Sequence, residues 1–265
     1  MDLELAGKTA IVTGGSRGIG KAIARELAAE GVDVAIVARA IDDLKATAAE
    51  LAEATGRRIV PLVADTGDDA AVKTMVEQAA TELRHLDILV NCAAAVGGQG
   101  AVPKLAGITD DLFWSDVNVK VMGYLRCARE VAPHMIGQHW GRIINVSGLA
   151  ARSTGSFVGS IRNVSVVALT KNLADELGPQ GINVSVIHPG LTRTEKTPGV
   201  IAALAERQGI SQADAEKRMV GNLVGRWIDA QEIAYIATFL ASPRSVAING
   251  DVIAAGGGAR GSIYY

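Results

Sequence analysis

Residues 9–20 read Thr9-Ala10-Ile11-Val12-Thr13-Gly14-Gly15-Ser16-Arg17-Gly18-Ile19-Gly20. The first five positions form a short β-branched run. Apolar side chains then recur at helical spacing, at Ile19, Ile23, Ala24, Leu27 and Ala28. A glycine-rich turn between a strand and a helix has a specific physical use. It lets the backbone turn tightly, approach a pyrophosphate and pack the helix against the strand. The helix N-terminus then offers free N–H groups and the positive end of its dipole. The spacing, TGxxxGxG, differs from the general GxGxxG fingerprint, so its place between the first strand and the first helix is what points to a dinucleotide.

Working outward, six more β-branched runs follow, at 32–38, 59–63, 88–91, 142–146, 183–188 and 251–254. Helical patterns separate them, for example Leu169, Leu173, Ala174 and Leu177. This alternation predicts repeated βαβ units. The expected architecture is α/β, a single doubly wound Rossmann domain over 1–265 whose seven-stranded parallel sheet carries helices on both faces. Gly31, Gly56 and Gly181 each stand between a helix and a strand, where a left-handed cap is wanted. The segment 195–225 breaks the alternation with about thirty residues rich in Ala, Glu and Arg. An insertion at the carboxyl edge of the sheet is placed to close over a substrate.

Apolar residues make up 49% of the chain and aromatics only 4%, which suits a core of small aliphatic side chains. Lys plus Arg number 26 against 28 Asp plus Glu, a net charge of -2 with no long block of one sign, which argues against nucleic acid as a partner. The first eight residues lack the basic and apolar regions of a secretory signal, and no apolar run approaches membrane-spanning length. A cytoplasmic protein with a small-molecule substrate and no membrane partner is expected. Cys92 and Cys127 read as small buried hydrophobes rather than a disulfide pair. No metal site is expected.

The second strand ends Val37-Ala38-Arg39-Ala40, without the carboxylate that bonds a ribose 2′-hydroxyl in NAD-selective sites. Arg39 and Arg17 are placed to clamp a 2′-phosphate through charge-assisted hydrogen bonds. NADP(H) is therefore the expected cofactor, with NAD(H) as the alternative.

These residues together resemble the short-chain dehydrogenase/reductase family over essentially the whole chain. Gly14, Ser16, Arg17, Gly18, Ile19 and Gly20 lie in the match to its cofactor loop. Asp65, followed by Thr66, matches the acid that bonds the adenine ring, and Asn91-Cys92-Ala93-Ala94 stands where the family has NNAG. Asn118 matches a helical asparagine and Ser147 the serine at the end of the fifth strand. Pro189-Gly190 with Thr192 and Thr194 matches the PGxxxT segment that holds the nicotinamide carboxamide, and Asn249-Gly250-Asp251 begins the usual last strand. The resemblance also implies a homotetramer packed through helices such as the one containing Val164 and Leu173.

The departure falls at the chemical centre. Counting back from Ala168-Leu169-Thr170-Lys171, the family's YxxxK tyrosine and lysine fall on Gly159 and Asn163. The only tyrosines are Tyr124, Tyr235, Tyr264 and Tyr265. A phenol becomes a useful acid and base when a nearby ammonium stabilises its anion; Gly159 has no such group. Asn163 can still hydrogen bond the nicotinamide ribose but carries no charge. Ser147 and Asn118 are left to polarise a carbonyl or organise a water, and His188 either titrates in a useful range or simply packs the loop. Arg162 is expected to point outward or into an interface, and Tyr124 into the core. Three readings stay open: an NADP(H)-dependent oxidoreductase on a carbonyl or alcohol with an atypical proton relay, a catalytically inactive NADP(H)-binding sensor or partner subunit, and a non-redox enzyme on the same fold.

Overall fold

Alternate side chains of every central strand face opposite layers of helix, which is why the strand sequences are apolar almost throughout. The computed structural model describes residues 1–94 and 102–259. In chain order the first half runs β1 (Thr9–Thr13), α1 (Gly18–Ala29), β2 (Asp33–Ala38), α2 (Ile41–Thr55), β3 (Ile59–Val63), α3 (Asp69–Leu83), β4 (Ile88–Asn91), α4 (Asp110–Val117) and α5 (Gly123–Gly137). The second half runs β5 (Gly141–Val146), α6 (Phe157–Leu177), β6 (Ile182–Pro189), β7 (Thr192–Arg193), α7 (Thr197–Gln208), α8 (Gln212–Met219), β8 (Ile228–Asp229), α9 (Ala230–Ala241) and β9 (Val252–Ala255).

Seven strands form one parallel sheet in the order β3-β2-β1-β4-β5-β6-β9. Val12, Ile36, Val90 and Ile144 pack with α1, α2 and α9 on one face, while Ile11, Val37, Leu89 and Ile143 pack with α3, α5 and α6 on the other. The expected doubly wound fold is what forms. Strand ends shift by a residue from the runs read in the sequence, because ladder pairing sets them: Pro189 still pairs with Ala255, extending β6 beyond His188. Gly31, Gly56 and Gly181 all take the left-handed conformation expected of them, with φ of 90°, 66° and 84°.

The segment that broke the alternation folds into α7 and α8, which share a small core of Ile201, Ala205, Ala215 and Trp227. β7 and β8 pair at its base, Thr192 with Ile228 and Arg193 with Asp229. Between α4 and α5 the chain continues through one π-helical turn, Asn118–Met122. Such wide turns are rare and rotate the side chains that follow them.

Candidate functional site

Strand order reverses between β1 and β4, so the loops leaving them diverge and open a cleft above their carboxyl ends. The cleft holds about 440 Å³. Of the residues singled out in the sequence, Gly14, Ser16, Arg17, Gly18, Ile19, Gly20, Arg39, Asp65, Thr66, Ala93 and Thr194 line it. The Thr13 hydroxyl accepts the amides of Cys92 and Ala93 at 3.0 and 3.2 Å, pinning the end of β4 to the end of β1.

Glycines in this turn are sterically required. Gly14 has φ of 68°, and a Cβ there would lie 3.0 Å from the Cys92 carbonyl. A Cβ on Gly20 would lie 2.3 Å from the Gly14 carbonyl oxygen, closer than any real contact. The cradle therefore presents bare backbone, as close approach to a pyrophosphate demands. At its mouth the Gly18 amide donates to the Glu195 carboxylate, at 3.0 Å to Oε2 and 3.3 Å to Oε1. Arg17, Arg39 and Lys196 supply positive charge to the lining, and Asp43, Asp65 and Glu195 the opposing sign. Desolvation, then repulsion from Arg17, lowers the Lys196 pKa.

The remaining sequence candidates lie around the ends of β4, β5 and β6. Asn91 is fully buried and acts as a strut, its amide donating to Asn145 Oδ1 at 2.9 Å. Asn145 in turn donates to the Thr170 hydroxyl on α6 at 2.9 Å. Pro189 and Gly190 end β6, where a Cβ on Gly190 would lie 2.6 Å from the Gly256 backbone. The Thr192 hydroxyl donates to the Gly190 carbonyl at 3.0 Å. Ser147 is buried after β5, and its hydroxyl donates to the Asn163 carbonyl at 3.1 Å. Asn163 is buried as well, with its Oδ1 unpartnered.

Several side chains do not sit as their sequence positions suggest. Asn118, expected to polarise a carbonyl or organise a water, has both ends of its amide engaged: Nδ2 donates to the Gly67 carbonyl at 3.0 Å and Oδ1 accepts from Arg126 at 2.9 Å. Arg162 does not point outward. It turns onto Asp116 of α4, reaching both carboxylate oxygens at 2.6 Å in a largely covered ion pair. Desolvation, with Arg152 and Lys120 adding to it, pushes the His188 pKa down to about 4, so this imidazole is neutral near pH 7 rather than titrating there. Tyr124 is buried in the core as expected, its hydroxyl bound to the Val146 carbonyl at 2.9 Å. Gly159 is buried in the first turn of α6, where Ser156 caps its amide at 3.0 Å. Tyr264 and Tyr265 lie outside the described residues.

Lys120 and Glu195 were not read from the sequence. Lys120 is buried in the π-helical turn and its Nζ donates to the Ser147 carbonyl at 2.9 Å. The one available signal was a charge inside the apolar run Val119-Lys120-Val121-Met122. Cys127 is buried and Cys92 partly so; both are free, and burial pushes their thiols up to about 12 and about 11.

A doubly wound parallel sheet with a glycine cradle at its switch point defines a nucleotide-binding α/β class. Within that class the chain belongs to the short chain dehydrogenase family, whose pattern matches residues 8–203. It is 36% identical over 251 residues to the short-chain reductase protein NovJ of Streptomyces niveus, a match covering 94% of this chain and 92% of the relative. L-sorbose reductase from Gluconobacter frateurii, solved in complex with NADPH and L-sorbose, superposes with a TM-score of 0.93 at 28% identity, covering 99% of this chain and 100% of that one. A short chain dehydrogenase from Burkholderia cenocepacia, solved in complex with NADP, gives a TM-score of 0.82 at 33% identity over 96% of this chain and 98% of that one.

Proposed function

We propose that this chain is an NADP(H)-dependent oxidoreductase acting on a carbonyl or alcohol substrate. The observation that carries the reading is the glycine cradle, whose backbone no side chain can share, with Arg17, Arg39 and Lys196 on the same cleft. The solved relatives that hold NADPH or NADP support it. Gly14, Gly18 and Gly20 would seat the pyrophosphate, and Asp65 and Thr66 would meet the adenine. Arg17 and Arg39, with Lys196 beside them, would hold the 2′-phosphate. Pro189, Gly190, Thr192 and Thr194 would border the nicotinamide, with Ala93 and Asn163 near its ribose. A reduced nicotinamide supplies hydride; the protein must place the acceptor carbon and deliver a proton.

Ser147 is the group we assign to the substrate oxygen. Its hydroxyl is held by the Asn163 carbonyl, and a rotation about one bond frees it to donate outward. α7 and α8, which fill the 195–225 insertion, are assigned to the substrate side, because Thr194, Glu195 and Lys196 lead from the cleft directly into α7. Exposed Trp114 on α4 and Phe157, Ile161 and Val164 on α6 supply an apolar face suited to a homotetramer.

A second reading, a nucleotide-binding protein without turnover, is favoured by Gly159 and Asn163, which leave the two family positions on α6 with no titratable side chain. NADPH consumption measured across ketones, aldehydes and sugars separates the two. Turnover supports the oxidoreductase. Tight NADPH binding with no turnover on the whole panel favours the inert protein, and the Gly159→Tyr, Asn163→Lys double variant then tests whether activity can be installed. A Cβ at position 159 would lie 2.7 Å from the Ser156 hydroxyl, so that cap must move to admit the tyrosine.

A further inference from the structure

The fully buried positions of α6 are Val158, Gly159, Asn163, Val166, Thr170, Ala174 and Leu177, and the one largely covered charge on that helix, Arg162, is committed to Asp116. Yet an ammonium reaches the same place from another element. Lys120 projects from the π-helical turn two residues beyond Asn118, and its Nζ donates to the Ser147 carbonyl at 2.9 Å. The Ser147 hydroxyl in turn donates to the Asn163 carbonyl at 3.1 Å. Lys120, Ser147 and the vacated lysine position are thus joined by two hydrogen bonds. Around them the Asn163 Oδ1 and both ring nitrogens of His188 are buried without a partner.

We propose that Lys120 takes the place of the missing α6 pair, its ammonium being the proton donor to a carbonyl oxygen held at Ser147. The proposal rests on the oxidoreductase reading. In reduction the carbonyl carbon gains a hydride from the reduced nicotinamide, which is oxidised. The oxygen gains a proton from Lys120 Nζ, so that C=O becomes CH–OH. The amine, left neutral, regains its proton from water.

The neighbours of Lys120 decide whether that proton is movable. Arg162 on α6 faces it and repels its charge, while Asp116 on α4 favours it; Cys92 after β4 would do so only as a thiolate. Burial outweighs them all, and the pKa falls to about 7. A lysine that changes charge near neutrality gives up and regains a proton readily. Other groups around Ser147 are unsuited. His188 is held neutral, with a pKa near 4. The Cys92 thiol is pushed up to about 11. Burial raises the Tyr124 phenol well above its ordinary range, and its proton is committed to the Val146 carbonyl.

Two measurements test this on the full chain. In nitrogen-15 NMR of lysine side chains, with and without NADPH, one Nζ signal should titrate at about 7, well below the ordinary lysine value, and vanish in Lys120→Met. Among reducible substrates found on the panel, the wild-type rate should fall as pH rises through the pKa of Lys120. Lys120→Met should lose about 100-fold or more in turnover, with NADPH affinity within about threefold of wild type. Lys120→Arg keeps the charge but cannot release the proton, so it should lose the turnover and its pH limb while staying folded. A protein whose lysines all titrate above about pH 9, or a Lys120→Met variant with wild-type turnover and pH profile, overturns the proposal and leaves the oxidoreductase reading standing. Failure of the wild type to bind NADPH removes both.

Discussion

The Glu195 carboxylate accepts the Gly18 amide at 3.0 Å, joining residues 177 positions apart across the mouth of the cleft. Gly18 opens α1, so this carboxylate occupies the N–H-rich, positive end of a helix dipole where a pyrophosphate would otherwise bind. Two anions cannot share the site. If a pyrophosphate seats there as proposed, the Glu195 carboxylate has to leave the Gly18 amide.

Removing that charge should favour the nucleotide. Glu195→Gln is expected to tighten NADPH binding by about 3- to 10-fold, since an exposed anion at a helix N-terminus is worth roughly 0.3–1 kcal/mol and the repulsion adds to it. The gain should shrink as salt is raised. Fluorescence titration checks it, and unchanged or weaker binding would show that Glu195 leaves no imprint on the cofactor site.

The cradle itself should be intolerant. With its Cβ 2.3 Å from the Gly14 carbonyl oxygen, Gly20→Ala must push the turn out of shape. Nucleotide affinity should drop by about 100-fold, roughly 2.7 kcal/mol. Gly56→Ala is the control: nothing lies within 4 Å of its added Cβ, and it caps α2 at φ of 66°. It should cost stability through backbone strain of about 1 kcal/mol while leaving nucleotide affinity unchanged.

Stability should carry the signature of Lys120. Its folded pKa of about 7 lies below its ordinary 10.5, so between these values the unfolded chain binds more protons than the folded one. Stability then rises with pH across that window, and the penalty for burying the ammonium is fully present below about 7. Lys120→Met removes the penalty together with the hydrogen bond to Ser147. It should raise Tm at pH 6, by roughly 2–8 °C if about 1–2 kcal/mol is recovered, and lose that advantage by pH 10. Thermal melts at the two pH values decide it. A gain that is equal at both would mean the lysine titrates in its ordinary range.

What could be read in the sequence was local. The strand, turn and helix of residues 9–20 follow from β-branching, glycine and apolar spacing within a dozen positions, and the same logic placed the other six strands of the sheet. The chemical centre depends on contacts that sequence spacing does not encode. Arg162 was expected to point outward or into an interface because it lies one residue away from the lysine position on the helix; Asp116, 46 residues earlier, draws it in. Asn118 carries the right side chain in the right helix, yet Gly67 and Arg126 take up its amide. Lys120 is a single charge in an apolar stretch and was not read from the sequence. Only the turn of Asn118–Met122, wound wider than an α-helix, brings it beneath Ser147.

The most direct test of the account is the affinity of the purified protein for pyridine nucleotides, measured by calorimetry with NADPH and NADH in parallel. Arg17, Arg39 and Lys196 on a cleft lined by bare glycine backbone predict micromolar or tighter binding of NADPH, with NADH weaker by about tenfold or more. Arg39→Ala should narrow that difference. Binding of neither nucleotide would contradict the account at its root, and tighter binding of NADH would contradict the role given to the arginines.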